Sequence, residues 1–188
     1  MNPDLQHRQA SLVYALPLVE QILASHQHRL GSGYAGYRNH VYRVVHLCLS
    51  FAGNTAEDIE KIQIAGAFHD IGLWTAQTLD YLPPSAHGAA DYLRHIGKEG
   101  WIDEISAMIE MHHAVRSRAA DHSRLVENFR RADIADFSLG VFAMGLPRST
   151  ISALKRQFPN LGFHWFLFKR GMAWFFRHPL NPLPMFRW

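Results

Sequence analysis

The chain of 188 residues has a single cysteine, Cys48, and this scarcity excludes a disulfide framework and a cysteine-rich zinc site. One free cysteine is typical of a reducing compartment. The N-terminal residues lack the pattern of a leader peptide, and no apolar run approaches the roughly 18 residues that a membrane span requires. These absences predict a cytoplasmic protein without a transmembrane segment.

Blocks of basic residues are also absent. The formal net charge is +3 with neutral histidines, and no Lys/Arg-rich tail indicates nucleic acid, so we expect no stable nucleic-acid complex. The chain is instead rich in apolar residues, at 48% hydrophobic and 12% aromatic. This content excludes disorder, because burial of so much apolar surface can offset the entropy lost on ordering. We expect one domain over residues 1–188.

Glycines and capping residues divide the chain into helical segments. No stretch alternates between apolar and polar residues for long enough to predict a strand. Thr55 and Asp58 have the spacing of a capping box, Asn39 and Ser85 are candidate N-caps, and Gly72 is a candidate helix end. The predicted helices cover about residues 5–28, 39–52, 56–71, 85–96, 103–115, 123–139 and 147–157. The sequence therefore predicts an all-α fold, a single-domain helical bundle.

The C-terminal extension 161–188 differs from the rest of the chain, because phenylalanines and tryptophans alternate with basic residues there. One interpretation is a helix followed by a proline-rich segment, both packed on the domain. The other is an element that contacts a membrane surface or a second copy in a homodimer, since aromatic residues beside arginine favour both. The sequence leaves these interpretations open.

Histidines are unusually frequent, at 13 in the chain, and some of them fall with aspartates on five successive predicted helices. Consecutive helices of a bundle run antiparallel, so side chains that alternate between helix starts and helix ends meet at one level of the bundle. Imidazole and carboxylate groups suit divalent Fe, Mn, Zn, Co or Mg. The candidate ligands are His40, His69, Asp70, His87, His112 and Asp133.

The adjacent pair His69 and Asp70 is informative, because neighbouring side chains on a helix point about 100° apart. The two can approach one ion from two sides, or the carboxylate can reach a second ion and help to activate a shared hydroxide. Asp136 lies one turn after Asp133 and is a rival for its role. The choice of Asp133 predicts that Asp70→Ala abolishes metal retention or activity, whereas Asp136→Ala does neither.

Three segments, 38–44 (RNHVYRV), 67–72 (AFHDIG) and 131–133 (RAD), resemble the HD superfamily of metal-dependent phosphohydrolases. The resemblance covers about residues 36–140. Two further histidines, His87 and His112, are similar to those of the six-ligand subset with two metals. The Gly-Tyr-Pro signature of the cyclic-dinucleotide phosphodiesterases is missing, since Ala114-Val115-Arg116 follows the second histidine pair.

The resemblance implies an HD-type helical core whose metal ligands follow one another in a fixed order along the chain. One metal would be held by His40, His69, Asp70 and Asp133, and a second would be completed by His87 and His112 with Asp70 bridging. Fe or Mn is expected, with Zn, Co, Ni and Mg as alternatives. The implied activity is hydrolysis of a small phosphorylated substrate, such as a nucleotide, by a metal-activated hydroxide.

Around these ligands, four residues are candidates for handling the substrate. Arg38, Arg43 and Arg116 are candidates for binding phosphate oxygens, because a guanidinium pairs with phosphate through two hydrogen bonds. His113 is a candidate further ligand, general acid or orienting residue. Two other functions share the same ligands: a mixed-valent diiron oxygenase that cleaves a diol or hydroxyphosphonate, and a non-catalytic metal-dependent sensor or scaffold.

Overall fold

The computed structural model describes residues 15–117, 119–181 and 183–186, and this part of the chain forms helices and no strand. The all-α prediction is confirmed. The predicted helix start near residue 5 lies outside the described residues. The helices are α1 Pro17–Ser25, α2 Gln27–Leu30, α3 Tyr34–Leu49, α4 Ala56–Phe68, α5 Gly72–Thr75, α6 Leu82–His95, α7 Ile102–Met111, α8 Arg124–Phe137, α9 Arg148–Gln157 and α10 Phe163–Arg177.

The core lies among α1, α3, α4, α7 and α8, which bury aliphatic side chains together with Phe68, Phe129, Tyr37 and Tyr42. Helix α3 contacts both α4 and α8, and α7 contacts α6 and α8. Gly66 lies where α4 meets α3, and a Cβ atom added there would lie 2.5 Å from Cγ2 of Val45. The missing side chain therefore allows the close approach of the two helices, three residues before His69.

The predicted capping box at the start of α4 is present. Thr55 Oγ1 accepts a hydrogen bond from the backbone N–H of Asp58 at 3.1 Å, and Asp58 Oδ2 accepts one from the N–H of Thr55 at 2.9 Å. These contacts satisfy two backbone donors that the helix itself leaves unpaired. The local sequence thus fixes where α4 begins.

Gly72 does not end a helix but begins the short helix α5, so α4 ends three residues earlier than predicted, at Phe68. The backbone N–H of Gly72 donates to Ser85 Oγ at 2.9 Å, and an added Cβ would lie 2.5 Å from the carbonyl oxygen of Tyr81. A glycine is required here because the segment before α6 approaches the backbone closely.

Two other predicted helix starts were too late in the chain. Helix α3 begins at Tyr34, directly after a 3₁₀ turn at Gly31–Gly33, and Asn39 donates to the carbonyl of Pro159 instead of capping the helix. His40 therefore lies in the second turn of α3. Helix α6 begins at Leu82 with two prolines in its first turn, where their missing N–H groups have no helical partner to lose.

The C-terminal extension contains α10, which leaves many of its aromatic side chains exposed. Phe163 at its start is buried, whereas Trp165 and Phe176 are 59% and 75% exposed. Among the described residues, no helix is both long enough and apolar enough to cross a membrane. A homodimer through this extension stays a prediction.

Candidate metal centre

Five of the six predicted ligands lie together at one place in the core. His40 comes from α3, and Asp133 comes from α8. His69 and Asp70 directly follow α4, and His112 directly follows α7. All five are at most 3% exposed. The helix ends of α4 and α7 thus bring their polar groups to the middle stretches of α3 and α8.

The ligand atoms of this cluster face one another at short distances. His40 Nε2 lies 2.9 Å from His69 Nε2, 3.6 Å from Asp70 Oδ2 and 3.5 Å from Asp133 Oδ1. His112 Nε2 lies 3.4 Å from Asp70 Oδ1. Two nitrogen or oxygen ligands each about 2.1 Å from one ion lie roughly 3–3.4 Å apart at ordinary coordination angles. The spacing is therefore that of a metal site.

Hydrogen bonds at the far side of three imidazoles decide which nitrogen faces the centre. The contacts of Nδ1 are from His40 to Asp136 Oδ2 at 2.8 Å, from His69 to the Gly66 carbonyl at 2.7 Å and from His112 to the Ile109 carbonyl at 2.6 Å. These oxygens only accept, so each Nδ1 carries the hydrogen of the neutral ring. Each Nε2 then presents a lone pair, as in metal-binding histidines.

The pKa values of the residues in the centre shift in different directions, according to burial and to the charges nearby. Burial lowers the pKa of His69 to about 3. Burial also opposes the charged form of His40, but the nearby carboxylates outweigh it and raise the pKa of that imidazole to about 9. Burial would raise the pKa of Asp70, yet the surrounding histidines hold it well below its usual range. The same carboxylates that stabilise a proton on His40 are suited to a bound cation.

Three buried ligand atoms have no hydrogen-bond partner in the described part of the chain: Asp70 Oδ1, His112 Nε2 and Asp133 Oδ2. Buried polar atoms are rarely left without a partner, because desolvation without compensation is unfavourable. A divalent cation coordinated by these atoms removes that cost. Three overlapping groups of ligands meet the distances for an ion, namely His40–His69–Asp133, His69–Asp70–His112 and His112–His113–Asp133. The residues present fit a divalent metal.

Asp136, the rival of Asp133 in the sequence, lies directly behind the cluster. Its carboxylate accepts the Nδ1 hydrogen bond of His40 and two hydrogen bonds from Arg43, at 2.5 and 2.8 Å. Burial opposes ionisation of Asp136, but these partners outweigh it and lower its pKa to about 2. Asp136 therefore orients His40. Its position three residues after Asp133, on the same helix face, was the available signal.

His87 does not join the other predicted ligands. Its side chain is 77% exposed on α6 and lies 3.6 Å from the carboxylate of Asp91, one turn along the same helix. The structure brings His113 to the cluster instead, with Nδ1 at 3.7 Å from Asp133 Oδ2. This position corrects the prediction that His87 completes a second metal site. A side chain that points to solvent cannot contact an ion among buried groups.

The three arginines proposed for substrate binding lie away from the cluster opening. Arg43 is fully buried, where it pairs with Asp136 and donates to the carbonyl of Phe158, so it has no free face for a substrate. Arg38 forms an ion pair with Glu20. Arg116 is exposed in the segment after α7. None of the three lines the pocket above the cluster, which corrects the prediction for all of them.

His113 and Tyr81 form a hydrogen-bonded pair at the opening of the cluster, with Nε2 and the hydroxyl 2.7 Å apart. Burial and the nearby carboxylates raise the pKa of Tyr81 well above its usual range, so the hydroxyl keeps its proton. Burial and the neighbouring His112 lower the pKa of His113 well below its usual range. The neutral imidazole therefore either accepts from Tyr81 or donates to it, and the second arrangement leaves Nδ1 as a lone pair beside Asp133.

A pocket of about 590 Å³ opens above the cluster, and its floor includes His40, Asp70, His113 and Asp133. This volume is within the range of small-molecule sites. Its opposite wall comes from α10 and the segment that follows it. Phe186 of that segment packs on the ring of His113, with ring centroids 5.6 Å apart. The C-terminal extension therefore completes the site.

The model of the HD domain family matches residues 37–141, which is more than half of the chain. The protein belongs to the HD domain family, and this domain indicates a member of the superfamily of metal-dependent phosphohydrolases. Comparison with curated proteins and with solved structures gave no significant match. The matched region carries His40, His69, Asp70, His112 and Asp133.

Proposed function

We propose that the protein is a phosphohydrolase with two divalent metal ions, which hydrolyses a small phosphate ester. The observation that carries the proposal is the way in which two carboxylates divide their oxygens between two pairs of histidines. Asp70 Oδ2 faces His40 and His69 at 3.6 and 3.5 Å, whereas Asp70 Oδ1 faces His112 at 3.4 Å.

Asp133 repeats the division. Its Oδ1 faces His40 and His69 at 3.5 and 3.8 Å, and its Oδ2 faces His113 at 3.7 Å. One ion would be held by His40 and His69, the other by His112 and His113, with both carboxylates shared between them. Carboxylates that bridge two ions about 3.5–4 Å apart are a known feature of hydrolytic sites. His113 thus takes the place that the sequence assigned to His87.

The bound ions would lower the pKa of a coordinated water and polarise a phosphoryl oxygen. The chain's own residues supply the rest. Asp136 holds the imidazole of His40 in position through Nδ1. Tyr81, which keeps its proton, lies at the pocket floor and can donate a hydrogen bond to the oxygen of the leaving group. The apolar wall of α10 limits the access of bulk water.

The test is elemental analysis of protein purified without chelator, combined with hydrolysis of p-nitrophenyl phosphate. We expect two ions per chain in the natural protein. Asp70→Ala should lose both ions and all measurable activity, and His113→Ala should retain one ion. His87→Ala is the matched control, since it removes an exposed histidine of the same chain, and it should retain two ions.

Three results would contradict the proposal. One ion per chain in the natural protein would reduce the site to His40, His69, Asp70 and Asp133. Loss of an ion in His87→Ala, but not in His113→Ala, would restore the sequence-based assignment. Two irons with dioxygen consumption and no ester hydrolysis would favour the oxygenase function.

A further inference from the structure

The pocket above the cluster has an unusual composition for a site that binds phosphorylated molecules. Apart from the cluster residues, Tyr81 and His164, its described lining consists of apolar side chains and one glycine. Leu167, Phe168 and Met172 come from α10, and Phe137 comes from the end of α8. No lysine or arginine is among the lining residues that the structure describes.

This composition disfavours a substrate with several phosphates. Each phosphate that enters an apolar pocket loses its hydration and requires a cation or several hydrogen-bond donors in exchange. Metal ions bound by the cluster would supply positive charge only where the cluster lines the pocket. A single phosphoryl group at the floor is therefore compatible with the pocket, whereas a charged chain along its walls is not.

The walls favour an apolar group in the remaining volume. Three apolar side chains of α10 line the pocket and are also exposed to solvent: Met172 at 40%, Phe168 at 55% and Phe175 at 46%. Apolar surface that a ligand covers gains the free energy of removal from water. The basic side chains of α10 do not line the pocket, so they do not compete for this volume.

We propose that the substrate is a phosphate monoester of an extended apolar alcohol, such as an alkyl or aryl-alkyl chain. The phosphoryl group lies against the metal cluster, and the chain lies along α10. This proposal rests on the proposed function for the position of the phosphate, but the apolar recognition depends only on residues that the structure describes.

The first experiment measures binding, not turnover. Isothermal titration of the metal-loaded protein with ethyl, butyl, hexyl and octyl phosphonate avoids hydrolysis, because the carbon–phosphorus bond is stable. Burial of one methylene group in an apolar site strengthens binding about fourfold at most. We expect the affinity to rise about twofold to fourfold per methylene until the pocket is full.

Gly171 offers a way to fill the pocket without disturbing the helix. It lies in the middle of α10 and lines the pocket, and a Cβ atom added there would contact nothing within 4 Å. Gly171→Phe should therefore fold, and it should abolish the dependence of affinity on chain length. The matched control is Gly100→Phe, since Gly100 also has open space around its Cβ position but does not line the pocket.

The outcomes separate this proposal from the proposed function. A rise in affinity with chain length that Gly171→Phe removes and Gly100→Phe preserves supports the apolar pocket. If the corresponding alkyl phosphates are then not hydrolysed, the hydrolase proposal and the assignment of these esters as substrates both fail, and only the recognition of an apolar group by the pocket stands. Equal affinity for all chain lengths, or an unchanged rise in folded Gly171→Phe, overturns the apolar substrate even where p-nitrophenyl phosphate is hydrolysed.

Discussion

Helices α3 and α10 depart from the usual distribution of side chains in opposite directions. Helix α3 buries polar groups, with His40 and Arg43 at most 2% exposed. Helix α10 exposes apolar groups, with Trp165 and Phe176 more than half exposed. Buried polar groups and exposed aromatic clusters are the informative exceptions to the burial rule. His40 of α3 and two further exposed rings of α10, Phe168 and Phe175, line one pocket, so both helices contribute to the same site.

The polar groups of α3 depend on partners from other helices, and the strongest dependence is on Asp136. Asp136→Ala should lower the free energy of unfolding by about 3–5 kcal/mol, because it leaves the buried charge of Arg43 without its carboxylate partner. It should also weaken metal binding about 10- to 100-fold, since His40 loses the group that orients it. Chemical denaturation and metal titration measure the two effects.

Asp91→Ala is the control for this change, because Asp91 is an exposed aspartate on α6 and its loss should leave both quantities unchanged. The sequence alone predicts that Asp136→Ala abolishes neither metal retention nor activity, whereas the contacts of Asp136 with His40 and Arg43 lead us to expect weaker metal binding. Unchanged metal affinity in folded Asp136→Ala would support that prediction. It would show that the contacts of Asp136 with His40 and Arg43 do not affect metal binding.

Helix α10 contains one aromatic residue that behaves like a core residue, and this allows a comparison within the helix. Phe163 is 3% exposed and stacks on the ring of His40, with centroids 4.5 Å apart. Phe163→Ala should destabilise the protein by about 3–5 kcal/mol through loss of buried surface. Phe176→Ala should change stability by less than about 0.5 kcal/mol, because Phe176 is 75% exposed. Thermal unfolding of both variants distinguishes them, and equal effects would show that another surface covers Phe176.

A smaller effect than that of Phe163→Ala is expected at the capping box of α4, which lies at the opposite end of that helix from His69. Thr55→Ala should cost about 1 kcal/mol. Burial would raise the pKa of Asp58, but hydrogen bonds from Thr55 and Arg124 outweigh it and lower that pKa below its usual value near 3.8. A lowered carboxyl pKa stabilises the fold above the unfolded pKa, and the contribution is lost as pH falls through the folded pKa. Denaturation of the natural protein and Asp58→Asn across this acidic range should show the difference shrinking as pH falls.

The sequence predicted the helical fold and the cluster residues better than it predicted helix boundaries. The capping box of α4 was identified because both partners lie three residues apart, and such local contacts can be read from the chain. The start of α3 was placed too late because Asn39, a good capping residue, donates to Pro159, which is distant in sequence. Helix α6 begins before the predicted start at Ser85, because prolines are compatible with the first turn of a helix, where their missing N–H groups have no helical partner.

The site shows the same limit. His69 and Asp70 could be assigned because their neighbours form a recognisable motif. The choice between His87 and His113 could not be made from residue type, since it depends on the direction of each side chain in the folded chain. The apolar wall of the pocket was also beyond sequence reasoning, because α10 reaches the cluster only through tertiary packing.

The contacts that α3 makes beyond residue 157 have a consequence for how the protein can be divided. Arg43 donates to the carbonyl of Phe158, Asn39 donates to the carbonyl of Pro159, and His40 stacks on Phe163. A fragment cut at the limit of the family match, residue 141, would lose all three. The segment that the family model matches is therefore shorter than the segment that packs around α3, and an expressed fragment should extend at least through Phe163.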